Sequence, residues 1–343
     1  MNKKFLVNSI SVFGAIVITL LITILLLVFV GKNPFEVLGL MIGDTFFNGY
    51  GFGQMLFKAT SLMIVATGLA ICFQAAIFNI GAEGNLYFGS FISSVIAVNF
   101  GDLPPVILLP FSILAGIGAS MIVSLIPPFI KVRKGVSEVI TTIMLNFVFI
   151  YVVNYFVLNF FAVKATVRME KVNESLMFMK LSSWVDFLRG SSVNILFFVG
   201  LAISLLTYFF LFKTKMGYAI RAVGLNETAS RYMGIKVNEI VYLVFLISGG
   251  LSSIAGLNFV MGYKGYFEIG FSANIGFTAI AVSLLAKNNP VGIIFSSLLF
   301  GFLDYGGLAV NSLVPKEVMF VVQGVVILSI IAVDKIVNRI FQT

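Results

Sequence analysis

Residues 106–127 read VILLPFSILAGIGASMIVSLIP, a run of 22 residues without a charged side chain. At a rise of about 1.5 Å per residue, a helix of this length crosses the roughly 30 Å hydrocarbon core of a bilayer. A helix also pairs its own backbone N–H and C=O groups where no water is available. The stretch therefore predicts a membrane-spanning helix, which Pro127 and Pro128 terminate.

Similar apolar runs recur along the whole chain. Its 343 residues are 59% hydrophobic and 10% charged, and the mean hydropathy is +1.08. Because a bundle of spanning helices forms one cooperative unit, we predict a single all-α polytopic membrane domain over residues 1–343. Turn-forming and charged residues predict about ten spans, near residues 9–30, 55–74, 84–100, 106–127, 138–161, 193–212, 238–261, 273–286, 291–309 and 317–334.

The residue inventory excludes several kinds of chemistry. The chain has one cysteine, Cys72, and no histidine. A disulfide, a Cys/His metal site and histidine acid–base catalysis are therefore excluded, and we predict no metal site and no catalytic residue. Cys72 lies inside an apolar run, where a free cysteine packs as a small hydrophobic side chain.

The distribution of basic residues predicts the orientation in the membrane. Cytoplasmic loops of membrane proteins carry an excess of lysine and arginine. If the amino terminus is cytoplasmic, 13 of the 22 basic residues are cytoplasmic, and the loop over residues 162–192, which carries Trp184, is extracytoplasmic. We therefore predict that both termini are cytoplasmic. The 13 are residues 3, 4, 131, 133, 134, 213, 215, 221, 231, 236, 287, 335 and 339.

Ten spans also allow an internal inverted repeat. Two sets of five spans would run in opposite directions, because five is odd. Residues 79–81 and 274–276 both read Asn-Ile-Gly and lie at roughly corresponding places in the two sets. Little else is alignable, so a repeat and chance similarity both remain open.

Residues 78–87, FNIGAEGNLY, interrupt an apolar run with Asn79, Glu83 and Asn85. Polar groups at membrane depth face protein or water, since an unpaired carboxylate in hydrocarbon costs several kcal/mol. One interpretation is a tight cytoplasmic turn with a solvated Glu83. The other is a position on a translocation path.

Further polar residues form a stripe in the fifth predicted span. Ser137 is placed to cap this helix, and Glu138 lies at its positive end. Thr142 and Asn146 follow at four-residue steps, so they share one helix face that either bonds to a neighbouring helix or lines a path. Asp304 has the same two interpretations: a path residue, or an acid that bonds a neighbour or lies near the outer surface.

The loop over residues 213–236 contains two short helices by its sequence signals. The first is predicted to end at Gly224. The second is predicted to begin with Asn226 as its cap and Glu227 in its first turn, and to stop at Gly234. A helix of about seven residues is too short to be stable alone in water, so it either docks on a surface or belongs to an ordinary linker.

This loop resembles the cytoplasmic coupling region of ATP-binding-cassette (ABC) importer permeases of the ribose, branched-chain amino acid and nucleoside group. Residues 217–235 follow the pattern Gly-x-Ala-x-Arg-x-x-Gly-x-Asn-x-x-x-x-Arg-x-x-Gly-Ile. The stretches at 79–87, 135–146 and 276–292 most resemble the nucleoside (simple-sugar-type) permeases. Gln74, Asn85 and the pair Ala286-Lys287 depart from the residues common in that family.

The resemblance implies a type II-like ABC importer permease that takes up nucleosides, or alternatively a simple sugar or a branched-chain amino acid. It implies a multi-pass protein of the bacterial cytoplasmic (inner) membrane. Its partners would be a cytoplasmic ABC ATPase, a second permease in a heterodimer, and an extracytoplasmic substrate-binding lipoprotein. The residues implied to couple to the ATPase are Gly217, Arg221, Gly224, Asn226, Glu227, Arg231 and Gly234.

The chain itself is not predicted to be an enzyme, because it has no Gly-x-x-x-x-Gly-Lys-Ser/Thr motif to hold ATP. ATP and magnesium would be bound by the partner ATPase, and no nucleic acid would be bound. The alternative function is an ion-coupled secondary carrier with Glu83 and Asp304 as coupling acids. The candidate path residues in either case are Asn79, Glu83, Asn85, Thr142, Asn146 and Asp304.

Overall fold

The computed structural model describes residues 21–315, 318–325, 328, 329 and 332, and these residues fold as a bundle of α-helices. Residues 318–325 are also helical. Within the described residues the helices, numbered in chain order, are α1 Leu21–Phe29, α2 Pro34–Phe46, α3 Gly49–Gln74, α4 Ala82–Asn99, α5 Pro105–Ser124, α6 Ile126–Lys134, α7 Glu138–Phe156, α8 Leu196–Lys213, α9 Lys215–Leu225, α10 Glu227–Tyr232, α11 Val237–Phe259, α12 Ile275–Leu285 and α13 Pro290–Ala309.

In the described ranges, six helical segments are long and apolar enough to cross a membrane, or seven if the α1–α2 pair, bent by 116°, counts as one span. The six correspond to the predicted spans that begin near residues 55, 106, 138, 193, 238 and 291. The predicted spans 9–30 and 317–334 lie partly outside the described residues. α7 and α11 are each extended by a π-helical turn, Val157–Phe161 and Val260–Lys264.

The prediction of a span over residues 273–286 is wrong. α12 has 11 residues and is therefore about 16 Å long, half of what a crossing needs. Ala273 and Asn274 have φ angles of +47° and +66°, a left-handed conformation that cannot continue a helix. The helix therefore begins inside the bundle.

Two further differences concern α2 and α4. α2 is absent from the predicted spans, although Asn33 caps it through the Phe35 N–H and Pro34 occupies its first turn, both of which are sequence signals for a helix start. α4 has 18 residues and covers the predicted span 84–100, but Glu83 and Asn85 make it less apolar than the six segments above.

α3 and α11 form the centre of the bundle. The most apolar stretch of α3 is 89% buried, compared with 22% for the corresponding stretch of α7 at the periphery. Helices pack closely where small residues meet: Gly68 of α3 lies against Ser248 of α11, and Gly256 of α11 lies against Ser90 of α4. Such contacts are the usual basis of helix association in membranes.

The two ends of the bundle differ. Residues 162–194 cover one end, here called the loop end. They hydrogen-bond to the segment at the end of α11 and beyond it. The N–H groups of Met169, Val172 and Phe178 donate to the carbonyls of Phe267, Gly265 and Met261, respectively, at 2.8–2.9 Å. In this loop, β-structure is limited to isolated bridges. Trp184 lies between two short 3₁₀ turns and is exposed. α9 and α10 form the opposite end, here called the α10 end.

Candidate functional site

α4 and α12 begin close together inside the bundle and run in opposite directions. α12 runs toward the α10 end, where the carbonyl of Asn288 accepts a 3.0 Å bond from the Gln74 side chain at the end of α3. α4 runs toward the loop end, where Phe91 packs on Phe161 and Phe267. The positive ends of both helices therefore lie at one place in the interior.

Glu83 lies at this meeting point. It belongs to the first turn of α4, and its carboxylate accepts 2.5 Å hydrogen bonds from the Ser272 hydroxyl and from the Gly276 N–H of α12. Glu83 is only 2% exposed. Of the two interpretations of this stretch, the solvated cytoplasmic turn is therefore excluded. The carboxylate joins the start of α12 to the start of α4.

The two Asn-Ile-Gly triplets, 79–81 and 274–276, stand at the starts of these two helices. The approach is so close that a methyl group on Gly276 would lie 2.7 Å from the Cα atom of Glu83. Only glycine fits at this position. The side chain of Asn79 bonds Ser248 of α11 at 3.0 Å and accepts a 2.9 Å bond from the Gly81 N–H, which fixes the segment before α4.

Four of the predicted path residues surround a small cavity next to Glu83. The cavity measures about 10 Å³, which is room for one water molecule at most. Thr142 accepts a 3.3 Å bond from the Ile80 N–H, and the Asn146 side-chain carbonyl accepts from the Gly84 N–H. The cavity is lined by residues of α5, α7 and α11 and by four of the predicted path residues, Asn79, Asn85, Thr142 and Asn146.

The polar stripe of α7 thus bonds to the segment that begins α4. Gly84 permits the contact, since a methyl group there would lie 3.0 Å from Asn146 Cα. The side-chain NH₂ of Asn146 is buried without a protein partner. Ser137 occupies the cap position of α7 but forms no capping bond, so the capping prediction is wrong, and Glu138 instead pairs with Lys131 at 2.8 Å.

Other polar groups in the bundle were not among the candidates. The Tyr87 hydroxyl donates to Asn154 of α7 at 2.8 Å and accepts from the Gly270 N–H at 2.9 Å. Asn258 of α11 bonds Ser61 of α3 at 2.9 Å and accepts a 2.8 Å bond from Asn194. The available signal was an amide or a tyrosine inside an apolar run, which also marks Tyr87 in the stretch 78–87, Asn154 in α7 and Asn258 in α11.

Asp304 lies apart from the Glu83 cluster. Its carboxylate pairs with Lys58 of α3 at 2.9 Å. Its sequence neighbour Tyr305 donates to Asp44 at 2.9 Å and not to Asp304. Lys58 was not a candidate, although it is a cation within a predicted span.

At the α10 end, the two predicted short helices are present as α9 and α10. Asn226 caps α10 by accepting a 2.9 Å bond from the Ala229 N–H, and Glu227 lies in its first turn. Gly234, with φ of +81°, follows the end of α10 at Tyr232. α9 ends at Leu225, one residue beyond the predicted Gly224.

α9 is anchored to the ends of α3 and α8. Gly224 packs on the backbone of Gln74, whose carbonyl carbon would lie 2.9 Å from a methyl group there. Gly217 packs in the same way on the backbone of Phe210 and Leu211, and the Arg221 Nε donates to the Leu211 carbonyl at 3.1 Å. α9 is therefore in direct backbone contact with the end of α3.

α9 and α10 together present an apolar surface to solvent, here called the α10 surface. Leu225 at the end of α9 and Tyr232 at the end of α10 are each 89% exposed, and Tyr218 of α9 and Met233, which follows α10, are also exposed. A groove of about 240 Å³ separates α9 from α10. Arg231 pairs with Glu227 at 2.8 Å across one turn and holds the short helix together.

Residues 51–331 match the family described as branched-chain amino acid transport system / permease component. The chain belongs to this permease family.

Similar permeases transport different solutes. The permease is 31% identical to the guanosine ABC transporter permease protein NupP of Bacillus subtilis over 81% of its own length and 80% of that protein. It is 29% identical to the nucleoside ABC transporter permease protein NupB of Lactococcus lactis over 80% and 77%. It is also 29% identical to the glucose ABC transporter permease protein TsgB13 of Haloferax volcanii over 89% and 82%. The predicted resemblance to nucleoside permeases is confirmed.

Proposed function

We propose that this chain is the membrane-spanning subunit of an ABC importer that takes up nucleosides. The observation that carries the proposal is the α10 surface, in which the exposed side chains of Leu225, Tyr232 and Met233 border a six-residue helix too short to be stable alone in water. Its occupant is a cytoplasmic ABC ATPase, which binds ATP and magnesium. Family membership and the nucleoside permeases among the relatives support this assignment.

The contacts of α9 give a route for coupling. ATP-driven movement of the partner would displace α10, and α9 would carry the displacement to the end of α3 through Gly224 and Gln74. The segment after α3 leads directly to Asn79 and Glu83. The coupling residues are Gly217, Arg221, Gly224, Asn226, Glu227, Arg231 and Gly234.

The path residues in this proposal are Asn79, Glu83, Asn85, Thr142, Asn146 and Asp304. The cavity beside Glu83 is too small for a nucleoside, so this arrangement corresponds to a closed path that opens when α7 separates from the start of α4. The amide and hydroxyl groups there suit a neutral, polar solute. Glucose is the alternative substrate, because TsgB13 is a glucose permease.

The remaining features of the proposal concern topology and partners. Both termini lie in the cytoplasm of a bacterium, residues 162–192 lie outside, and one domain covers residues 1–343. The opposed starts of α4 and α12 support an inverted repeat. A second permease completes a heterodimer, and an extracytoplasmic lipoprotein delivers the substrate.

The test reconstitutes the chain with its partners in proteoliposomes and measures nucleoside uptake and ATP hydrolysis together. Arg231→Glu or Gly234→Pro is expected to abolish uptake while hydrolysis continues, because the α10 surface no longer transmits movement. Lys236→Gln, an exposed change just beyond α10, is the control and is expected to leave uptake intact. Normal uptake by both α10 variants, or uptake driven by an ion gradient without ATP, would contradict the proposal.

A further inference from the structure

The Lys58–Asp304 pair differs from every other ion pair in the described ranges. The pairs Lys131–Glu138, Arg231–Glu227, Lys236–Glu239 and Lys264–Glu268 lie at helix ends or in connections, and each joins residues close in sequence. Lys58–Asp304 joins the interiors of two spans, α3 and α13. Charges in such positions are functional by default, because they are costly to keep in a membrane.

The depth of the pair follows from helix geometry. α3 has 26 residues and is about 39 Å long, so about 4 to 5 Å extend beyond each face of a hydrocarbon core of roughly 30 Å. Lys58 lies nine residues after Gly49, which places its Cα about 9 Å inside the hydrocarbon boundary at the loop end. Gly301 lets α13 cross α3 at this level, since a methyl group there would lie 2.7 Å from the Met55 carbonyl oxygen.

The pair is not sealed within the bundle. The side chains of Lys58 and Asp304 are 23% and 32% exposed. Hydrocarbon cannot solvate an exposed ammonium or carboxylate, and water can. At this depth the exposed side of the pair therefore faces water or another protein chain and not lipid.

We propose that Lys58 and Asp304 line the water-filled path on the loop-end side and bind the adjacent hydroxyl groups of a neutral sugar moiety. This inference rests on the proposed function. A carboxylate accepts hydrogen bonds from two neighbouring hydroxyls, and an ammonium donates to their oxygens. The pair has no net charge, so it presents both partners without attracting an ion of either sign.

This chemistry is common to the two substrate classes named for the relatives. Ribonucleosides and glucose differ in size and in the presence of a base, but both carry adjacent hydroxyl groups. NupP is a guanosine permease and TsgB13 a glucose permease. A contact with the hydroxyls would serve either substrate, whereas a contact with the base would serve only one.

The first experiment tests whether the pair faces water. In a Cys72→Ala background, Asp304→Cys is treated with a charged methanethiosulfonate reagent in the assembled transporter. Phe198→Cys is the control, because Phe198 is 47% exposed near the loop-end start of α8, where Gly200 packs on Met63 and Ile64 of α3, and it should face lipid. Since only a thiolate in water reacts, Asp304→Cys is expected to react at least about tenfold faster. Equal rates would overturn the proposal, and Lys58→Cys serves as a second variant if Asp304→Cys does not assemble.

The second experiment tests the hydroxyl contact. Asp304→Asn and wild type are supplied with the same binding protein, and uptake of a ribonucleoside is compared with uptake of its 2′,3′-dideoxy analogue. The variant is expected to lose about tenfold in ribonucleoside uptake, the equivalent of one lost hydrogen bond, and less than about twofold with the analogue. The charge-swapped variant Lys58→Asp/Asp304→Lys is expected to recover part of the difference.

The outcomes separate the two proposals. An equal loss with both nucleosides would mean that the pair only joins α3 to α13, and this inference would fail while the importer function stands. Absence of ATP-dependent uptake of any nucleoside by the wild-type assembly would instead contradict the proposed function. In that case glucose uptake with the same discrimination against a deoxy sugar would preserve the hydroxyl contact.

Discussion

Glu83 and Glu227 occupy equivalent positions in very different surroundings. Each lies in the first turn of a helix, where the positive end of the backbone dipole favours a carboxylate. Glu83 is 2% exposed and bonded by Ser272 and Gly276, while the Glu227 side chain is 55% exposed and pairs with Arg231. The same local motif thus joins α12 to the start of α4 in the interior and lies on a short exposed helix at the surface.

The difference shows why one region is rigid and the other adaptable. In the interior, a carboxylate without its partners has no water to replace them, so the contacts of Glu83 must be complete. At the surface, water replaces any partner of Glu227, and an exposed pair contributes roughly 0.2–1 kcal/mol. The contacts of Glu83 with Ser272 and Gly276 are therefore more costly to break than the Glu227–Arg231 pair.

The largest effect is expected where the interior contact is sterically blocked. Gly276→Ala places a methyl group against the backbone of Glu83, and backbone cannot move aside cheaply. We expect a loss of about 3 kcal/mol in the free energy of unfolding in detergent, measured by circular dichroism during chaotrope titration.

The matched control for this change is Gly118→Ala in α5, where the new methyl group meets nothing within 4 Å. Because alanine favours helix more than glycine does, Gly118→Ala should be neutral or slightly stabilising. Similar losses in both variants would mean that the meeting of α4 and α12 is not a close contact.

A smaller effect is expected from removing each charge in turn. Glu83→Gln keeps the shape of the side chain but weakens two charge-assisted hydrogen bonds and the interaction with the positive end of α12. We therefore expect a loss of about 2 kcal/mol in the free energy of unfolding. Glu227→Gln should change the unfolding free energy by less than about 0.5 kcal/mol. The same titration measures both, and a larger effect at Glu227 would reverse the comparison between the two regions.

Much of this contrast was predictable from sequence. Hydropathy found the six long spans, and the spacing of Asn226, Glu227 and Gly234 found α10, because caps and glycines act locally. The half-length of α12 was not predictable, since an apolar run of 14 residues reads the same whether it crosses the membrane or begins inside it. That outcome depends on the left-handed Ala273 and Asn274 and on the Glu83 contact, 190 residues away in sequence.

The same limit applies to the candidate site. The amides and carboxylates at residues 79–85 and along α7 stood out because polar groups are rare in apolar runs, and four of them do surround one cavity. Asp304 was grouped with them for the same reason, but its partner is Lys58 of α3, and neither residue lines that cavity. Composition identifies polar residues at depth, and only the packing of distant helices decides which of them meet.

The smallest effect sharpens the comparison at the surface. The exposed Lys236 ammonium pairs with Glu239 at 2.7 Å, and this carboxylate raises the pKa of Lys236. A raised pKa means that the pair stabilises the fold at all pH values below the ordinary lysine pKa, and that this contribution disappears as the pH rises through the raised pKa. Between pH 6 and about pH 9 the pair should therefore contribute a constant amount to stability.

NMR titration of ¹³C-methylated lysines should give an elevated pKa for Lys236 that returns to the ordinary value in Glu239→Gln. An unchanged Lys236 pKa in that variant would show that the pair does not persist in solution, and the α10 end would then be more mobile than its hydrogen bonds indicate.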